Sequence, residues 1–370
     1  MRFRAFCSCL RDDVPRFFGT FFFVSILLAS TACNKKSATP DWDTPTGKVP
    51  ASASAASVEA PSAPSVTAPA AVSPETADAE PGDARQLAEN TDESTSSNGL
   101  RFITYNVENW LTMDRYVDHK NLKGAPKPDS EKQAVIQLLA RHAPDVIGLC
   151  EIGQATDLAE VQESLKAAGL DLPHSHYTGG SDPTRHLGFL SRFPITSTAK
   201  PAVSEYQLAG QTFSINRGIL DVSLSARGKS YRFIGVHLKS KRDSEQGDQE
   251  AIRLNEARLL RRHVDSILKG DAEARLVVYG DFNDTHATPA IKTITGNYND
   301  PTYLTAIPAK DSKKDAWTHH WALHDIYSRI DYILVSRSLR KDVNFGAAAI
   351  IDDVEWNKAS DHRAVMAVFK

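Results

Sequence analysis

The chain is poor in cysteine, in long apolar runs and in charge of one sign. It holds four cysteines in 370 residues, and three of them, Cys7, Cys9 and Cys33, fall in the first 33. Cys150 then stands alone in the apolar run Val146-Ile147-Gly148-Leu149-Cys150 and reads as a small core residue. No disulfide framework can be built from it, so stability must come from a large core. The apolar run Phe17–Ala32 has 16 residues, short of the ~20 that a spanning helix needs. A polytopic membrane protein is excluded. The formal net charge is −3. Residues 1–99 carry 8 Lys/Arg and 12 Asp/Glu of the chain's 43 and 46, which leaves 35 against 34 for the rest. No large basic field advertises nucleic acid, and no acidic tail is present. Internal repeats of about 20–50 residues are absent as well.

What is there begins with an export signal. Arg2, Arg4, Arg11 and Arg16 precede the apolar run, and Ala29-Ser30-Thr31-Ala32-Cys33 closes it. A Cys after Thr-Ala resembles a bacterial lipoprotein cleavage site, although Ser30 stands where Leu is usual. Residues 1–33 are expected to be this signal, with Cys33 lipidated. An uncleaved anchor and plain secretion are the alternatives. Residues 34–98 are rich in Ala, Ser, Pro and Thr and cannot bury enough surface to offset chain entropy. They are expected to be a disordered tether between membrane and domain. The expected product is an exported, membrane-anchored protein, with no protein partner and a monomeric state.

Residues 99–370 read as one α/β-type layered domain. Strands are expected at Arg101–Val107, Asp145–Cys150, His186–Ser191, Phe213–Leu224, Tyr231–Leu238, Arg275–Tyr279, Ile330–Val335 and Ala364–Phe369. Helices are expected at Ser130–Ala140, Leu158–Ala168 and Gln249–Leu268.

Polar residues cluster where these strands end. Asn106 follows Ile103-Thr104-Tyr105, and Glu151 follows the run ending in Cys150. His237 follows Phe233-Ile234-Gly235-Val236, and Asp281 and Asn283 follow Val277-Val278-Tyr279-Gly280. Asp331 opens one strand, and Asp361 and His362 precede the last. Six such cases point to one site at one rim of a sheet. Carboxylates and amides are hard oxygen ligands, which favour Mg²⁺, Mn²⁺ or Ca²⁺ over structural zinc. Acids, His and a hard metal together suit attack on phosphate esters.

Several motifs occur in one order: Thr104-Tyr105-Asn106-Val107, Leu149-Cys150-Glu151, Ser191-Arg192-Phe193-Pro194, Val236-His237-Leu238-Lys239, Gly280-Asp281-Phe282-Asn283, Arg329-Ile330-Asp331-Tyr332 and Ser360-Asp361-His362-Arg363. In that order the sequence resembles the endonuclease/exonuclease/phosphatase superfamily, with Cys150 where Gln is usual. The stretch from His237 to Lys241, with Arg253 and Glu256, is more narrowly similar to bacterial extracellular nucleases. The resemblance implies an α/β (α+β) fold, a four-layer αββα sandwich with two central, mostly antiparallel sheets. It implies metal-dependent hydrolysis, with Mg²⁺ first and Mn²⁺ or Ca²⁺ as alternatives. Asn106, Glu151 and Asp361 match the metal site. Asp281 matches the residue that orients or deprotonates water, and Asn283 a donor to phosphate. His362 matches a phosphate contact held by Asp331, and His237 a general acid or phosphate-binding group.

Each residue also has a plainer role open to it. Asn106, Asp281 and Asn283 could be turn residues, Glu151 a helix N-terminal charge, and Asp361 a loop cap. His362 could be a solvated loop residue, His237 a core histidine, and Asp331 the partner of Arg329. Arg217, His186 and His320 could line a substrate cleft or be structural. Lys239, Lys241 and Arg242 could grip a polyanion. A phosphodiester substrate, nucleic acid first, is expected. The alternatives are a phospholipid or sphingomyelin headgroup, a small phosphate ester, or a tethered binding module with a dead site.

Overall fold

The computed structural model describes residues 99–117, 119–242 and 247–370. The stretches expected to be an export signal and a tether, residues 1–33 and 34–98, lie outside the described residues. No helix among the described residues is long and apolar enough to cross a membrane.

Strand β1 runs Leu100–Trp110, followed by the hairpin β2 (Met113–Val117) and β3 (Lys120–Ala125). Helix α1 (Asp129–His142) starts after Pro128 with Asp129 and Glu131 in its first turn, where negative charge suits the helix dipole. Strand β4 (Val146–Ile152) leads to α2 (Ala155–Ala167), whose start is held by Asp157 accepting from the Gln154 amide. Then come β5 (His174–Thr178), β6 (His186–Ser191), β7 (Ile195–Thr198), β8 (Glu205–Leu208), β9 (Gln211–Ser214), β10 (Ile219–Ala226) and β11 (Lys229–His237). Asp248 caps α3 (Gln249–Gly270) by accepting from the amides of Glu250 and Ala251. The rest is β12 (Leu276–Asp281), α4 (Pro289–Thr295), β13 (Thr305–Ala306), β14 (His319–Trp321), β15 (Ile326–Ser328), β16 (Asp331–Val335), α5 (Arg337–Arg340), β17 (Ala349–Ile350), α6 (Trp356–Ala359) and β18 (Val365–Phe369).

Two six-stranded sheets form, in the orders β17-β18-β1-β4-β6-β5 and β13-β16-β12-β11-β10-β7. Each contains a single parallel pair, β1 with β4 and β11 with β12. The other pairings are antiparallel. Strand alternation sorts side chains into three cores. Phe102, Phe189, Phe233, Val277 and Tyr279 meet between the sheets. Their neighbours Ile103, Ile147 and Leu149 turn outward to Val135 and Leu139 of α1 and Val161 of α2. Ile234, Val236 and Val278 turn outward to Ile252, Leu260 and Val264 of α3. This is the four-layer αββα sandwich that the sequence implies.

Three expectations shift in detail. The strand expected over Phe213–Leu224 is broken, because Gly218 adopts φ +77° and a Cβ there would meet the Gly179 carbonyl at 2.5 Å. β9 pairs with β8, while β10 joins the large sheet. Glu151 lies within β4 instead of after it, at a register shift between Cys150 and Ile152. The short hairpins, especially β14–β15, are additional; their three-residue strands are too brief to show a period in the sequence.

One buried charge ties the second sheet to its helix. Asp221, 1% exposed, accepts from Arg232 Nε at 2.8 Å, and its other oxygen lies 2.7 Å from His263 Nε2 of α3. Burial pushes the Asp221 carboxyl up, but the bonds from Arg232 and His263 outweigh it and hold it below its usual range. Asp221→Asn should therefore cost about 1.5–3 kcal/mol at neutral pH. A carboxyl depressed by folding contributes fully above its unfolded value of about 4 and loses that contribution as pH falls further. Thermal melts of both proteins from pH 7 to pH 3 check this. The gap should be constant down to about pH 4 and shrink below it.

Candidate active site

The parallel pairs decide where the polar residues go. Parallel neighbours end at the same edge, so β1 and β4 deliver Asn106 and Glu151 to one rim. β11 and β12 deliver His237 and Asp281 side by side. β16 runs antiparallel to β12, so its first residue, Asp331, pairs with Asp281. β18 runs antiparallel to β1, so the Asp361-His362 segment before it arrives at the same end.

The eight residues expected from the sequence form one connected network. Asn106 Nδ2 donates to Asp281 Oδ2 at 3.1 Å and to Glu151 Oε1 at 3.3 Å, and lies 3.4 Å from His362 Nε2. His362 Nδ1 is 2.9 Å from Asp331 Oδ2, while its Nε2 faces Asp281 Oδ2 at 3.7 Å and Asp361 Oδ1 at 3.9 Å. His237 Nε2 is 3.5 Å from Asp281 Oδ2 and 3.9 Å from Glu151 Oε1. Asn283 donates from its backbone to Asp281 Oδ1 at 2.8 Å and from Nδ2 to the Leu238 carbonyl at 2.9 Å.

Backbone strain gathers here. Glu108, Asn109, Glu151 and Asn283 adopt φ of 48°, 58°, 67° and 50°. Left-handed conformations at non-glycine residues are unfavourable and persist where surrounding contacts fix them. Glu151 sits at the β4 register shift, which re-aims its side chain. Its Oε2 accepts the Asn109 amide at 2.8 Å.

The two imidazoles are driven in opposite directions. Burial opposes charge on His362, but Asp331 and Asp281 outweigh it and raise its pKa well above the ordinary value. Burial lowers His237 well below the ordinary value, helped by Arg217 and His362, so it is neutral. Its Nδ1 is buried without a partner. Burial and then repulsion from Asp331 push Asp281 up to about 7.

Sequence reasoning missed two residues. Glu108 follows Asn106 by two; its amide donates to Asn106 Oδ1 at 3.0 Å and its Oε2 accepts the Asp361 amide at 3.0 Å. Burial, then Asp361, raises it to about 7. The doublet His319-His320 pointed to a cleft histidine, and His320 was the one singled out. The structure turns His320 away, stacked on Tyr327 and 3.1 Å from Asp325. Its neighbour His319 faces the site, with Nε2 3.6 Å from Asp361 Oδ2. A strand period of two across the doublet was the available signal.

The other candidates divide. His186 is buried and turned to the Gly153 carbonyl, a structural role. Arg192 is bonded to Asp145. Arg217 is buried, 3.2 Å from Asp182, with Nη1 lacking a hydrogen-bond partner. Lys241 pairs with Asp284 at 2.9 Å.

Five carboxylates share the rim: Glu108, Glu151, Asp281, Asp331 and Asp361. Such crowding raises carboxyl pKa values unless positive charge offsets it, and the hard oxygens suit a divalent cation. Two groups of three potential ligands lie within 4.8 Å: His319, Asp361 and His362, and Asp281, Asp331 and His362. Neither includes Glu151. Asn106 presents nitrogen to Glu151, and exchanging its amide oxygen for that nitrogen would forfeit the Glu108 bond.

A four-layer sandwich carrying this acid, amide and imidazole rim defines a class of phosphoester hydrolases. The family model for the Endonuclease/Exonuclease/phosphatase family matches residues 103–362, and the chain belongs to that family. Its members hydrolyse phosphoester bonds and use divalent metals. No curated protein matches the sequence. Among solved structures, a protein of the same family from Leptotrichia buccalis aligns at 16% identity and TM-score 0.52, covering 73% of this chain and 99% of that one. The human Nocturnin catalytic domain aligns at 17% identity and TM-score 0.52, covering 74% and 94%. A beta toxin variant from Staphylococcus aureus with bound magnesium ions aligns at 14% identity and TM-score 0.52, covering 74% and 100%. At these identities the likeness is one of fold.

The crowding has a measurable consequence. A carboxyl raised by folding costs stability from about pH 4 upward, and the cost levels off above its folded pKa. Asp281→Asn removes that cost while keeping the shape. Melts in EDTA at pH 8 should show a higher Tm for the variant, by about 2–4 °C for each kcal/mol relieved. The gain should vanish near pH 4. A lower Tm for Asp281→Asn at pH 8 would contradict the repulsion.

Proposed function

We propose that the domain is a metal-dependent phosphodiesterase whose substrate is nucleic acid. The observation that carries this reading is the Asp331–His362 pair, with the other ring nitrogen, Nε2, turned toward Asp281 and Asn106. Hydrolysis needs an acceptor for the water proton, positive charge at the phosphate oxygens, and exclusion of competing conformations. Asp281 accepts the proton from attacking water. Asn283 and Asn106 hold the two Asp281 oxygens in place. His362, cationic against Asp331, binds a non-bridging phosphate oxygen. His237, neutral, offers the phosphate a hydrogen bond from Nε2, the nitrogen that faces Asp281 and Glu151. Arg217 lies close enough to His237 to depress its pKa and supplies a second positive contact. Glu151 and Asp361 would hold the cation, with Glu108 near Asp361; Asn106 would join only if its amide turned its oxygen inward. When bound, the cation neutralises charge developing on the phosphate and leaving oxygen.

A second reading, hydrolysis of a lipid phosphodiester, is favoured by one feature. The hairpin that carries His319 exposes Trp321, Leu323, Ile326 and Tyr327. A panel with the full chain separates the two. Plasmid DNA, RNA, sphingomyelin and a phosphomonoester are each offered with Mg²⁺, Mn²⁺ or Ca²⁺. Cleavage of DNA or RNA with Mg²⁺ or Mn²⁺, abolished by EDTA, is expected. Sphingomyelin hydrolysis without nucleic-acid cleavage selects the lipid reading, and full activity in EDTA removes the metal.

His362→Ala should lower kcat by a factor of about 10²–10³, because the lost charge matters most in the transition state. Asp331→Asn should cost less, since it loosens the ring without deleting it. Both act through one imidazole, so the losses should not add. Kinetics of the two single variants and the double variant decide this. Additive losses, or a His362→Ala enzyme within about threefold of wild type, would dismiss the assignment.

A further inference from the structure

His319 has no role in the reading above, yet the fold takes care over its position. The strand β14 is fastened to the Asp361–His362 segment by backbone bonds. His320 N donates to the Asp361 carbonyl at 3.1 Å, and Arg363 N donates to the Thr318 carbonyl at 2.6 Å. His319 and His362 form an antiparallel bridge. Fully buried Thr318 accepts from the amides of Ile330 and Asp331 through Oγ1, both at 3.1 Å. The hairpin is thus anchored to both segments that build the site, and strand alternation points His319 inward while His320 points out.

The inward imidazole meets Asp361 at the carboxylate oxygen other than the one that faces His362. Its Nε2 lies 3.6 Å from Asp361 Oδ2, and its ring centroid lies 4.6 Å from that of His362. One donor atom each from His319, Asp361 and His362 falls within 4.8 Å of the others. Around a six-coordinate ion with bonds of about 2.1 Å, adjacent donors sit about 3.0 Å apart and opposite donors about 4.2 Å. The His319–Asp361 spacing falls between these values. His362 already spends Nδ1 on Asp331, and its Nε2 faces Asp281 and Asn106, which leaves His319 Nε2 as the imidazole nitrogen nearest an Asp361 oxygen. The side chains of His319 and Asp361 are 20% and 33% exposed, which leaves an entry path for an ion.

We propose that His319 is a nitrogen ligand of the catalytic cation, on the Asp361 side, and that it biases the site toward Mn²⁺ over Mg²⁺. This rests on the metal-dependent reading of the site. Oxygen-only sites suit Mg²⁺ and Ca²⁺, whereas imidazole donors favour first-row transition ions. The same aspartate can hold either ion, so the histidine supplies the selectivity.

The test is binding of Mn²⁺ to the full chain, followed by electron paramagnetic resonance. The free-ion signal gives the Kd, and echo-envelope modulation from a directly bonded ¹⁴N reports an imidazole ligand. Wild type should show the ¹⁴N modulation, and His319→Ala should lose it. Mn²⁺ affinity should fall about tenfold or more in that variant. Mg²⁺ affinity, read by competition, should change by less than about twofold. His320→Ala, on the same hairpin, should keep both the modulation and the affinity. A matching metal-free Tm for His319→Ala shows that the hairpin is intact. If Mn²⁺ binds wild type but the modulation persists in His319→Ala, the proposal is overturned while the metal site stands. The same holds if bound Mn²⁺ shows no ¹⁴N modulation at all. If wild type binds Mg²⁺ but not Mn²⁺, this proposal is overturned while the metal-dependent reading stands; if it binds neither, that reading fails and this inference fails with it.

Discussion

Everything at the site depends on one feature of strand direction. Each sheet has a single parallel pair at its centre, β1 with β4 and β11 with β12, flanked on both sides by antiparallel strands. Four C-terminal strand ends therefore meet at one rim, and two N-terminal ends, those of β16 and β18, arrive there from the other direction. An all-antiparallel sheet would send half of these groups to the far end. The crossovers that parallel pairing demands are α1 and α3. They also cover the outer faces of the sheets, so one constraint supplies both the layers and the site.

Asn106 is the joint between the two halves. It comes from the first sheet, yet its amide reaches Asp281 of the second as well as Glu151 and the His362 ring. Its own carbonyl accepts Ser360 Oγ at 2.8 Å, and Ser360 Oγ in turn accepts the His362 amide at 3.0 Å. A short neutral side chain is suited to this post. An anionic one would add to the crowding of carboxylates, and an apolar one would take a donor from both Asp281 and Glu151. The energetic consequence is a site held in tension. Burial and then like charges push Glu108 and Asp281 up, strained backbone holds Glu108, Glu151 and Asn283, and the surrounding cores supply the stability that this arrangement costs.

The fold was largely legible because its central strands are long apolar runs with a polar residue at the end. The runs before Asn106, Glu151, His237 and Asp281 are each buried on both faces, so they read clearly as strands. The site was legible at the same places, since a carboxylate after an apolar run needs a reason. What escaped was carried by short or irregular segments. Glu108 lies past the end of the apolar run, in a left-handed turn that no periodicity marks. His319 and His320 are adjacent and chemically identical; only the register of a three-residue strand tells which faces inward. The break at Arg217-Gly218 was hidden because hydrophobic residues continue on both sides of it.

Charge distribution also bears on the proposed polyanionic substrate, which a near-neutral domain would hold weakly. Non-specific nucleic-acid affinity grows with the number of phosphates neutralised, and 35 basic against 34 acidic residues cannot support many such contacts. The acids at the rim would repel phosphate further. Against this, Arg217, Arg185 and Lys239 add to the lowering of His237 that its burial begins. Arg185 is fixed by Asn109 at 2.8 Å, and Arg217 by Asp182. Other cations stand by the acids: Lys127 beside Glu108, and Arg242 acting on Asp361. In the proposed reading, a phosphate drawn toward these cations would be oriented before it reacts, with an oxygen toward His362 and its phosphorus near Asp281. Such a site would favour reaction at a positioned phosphate over tight holding of a long strand.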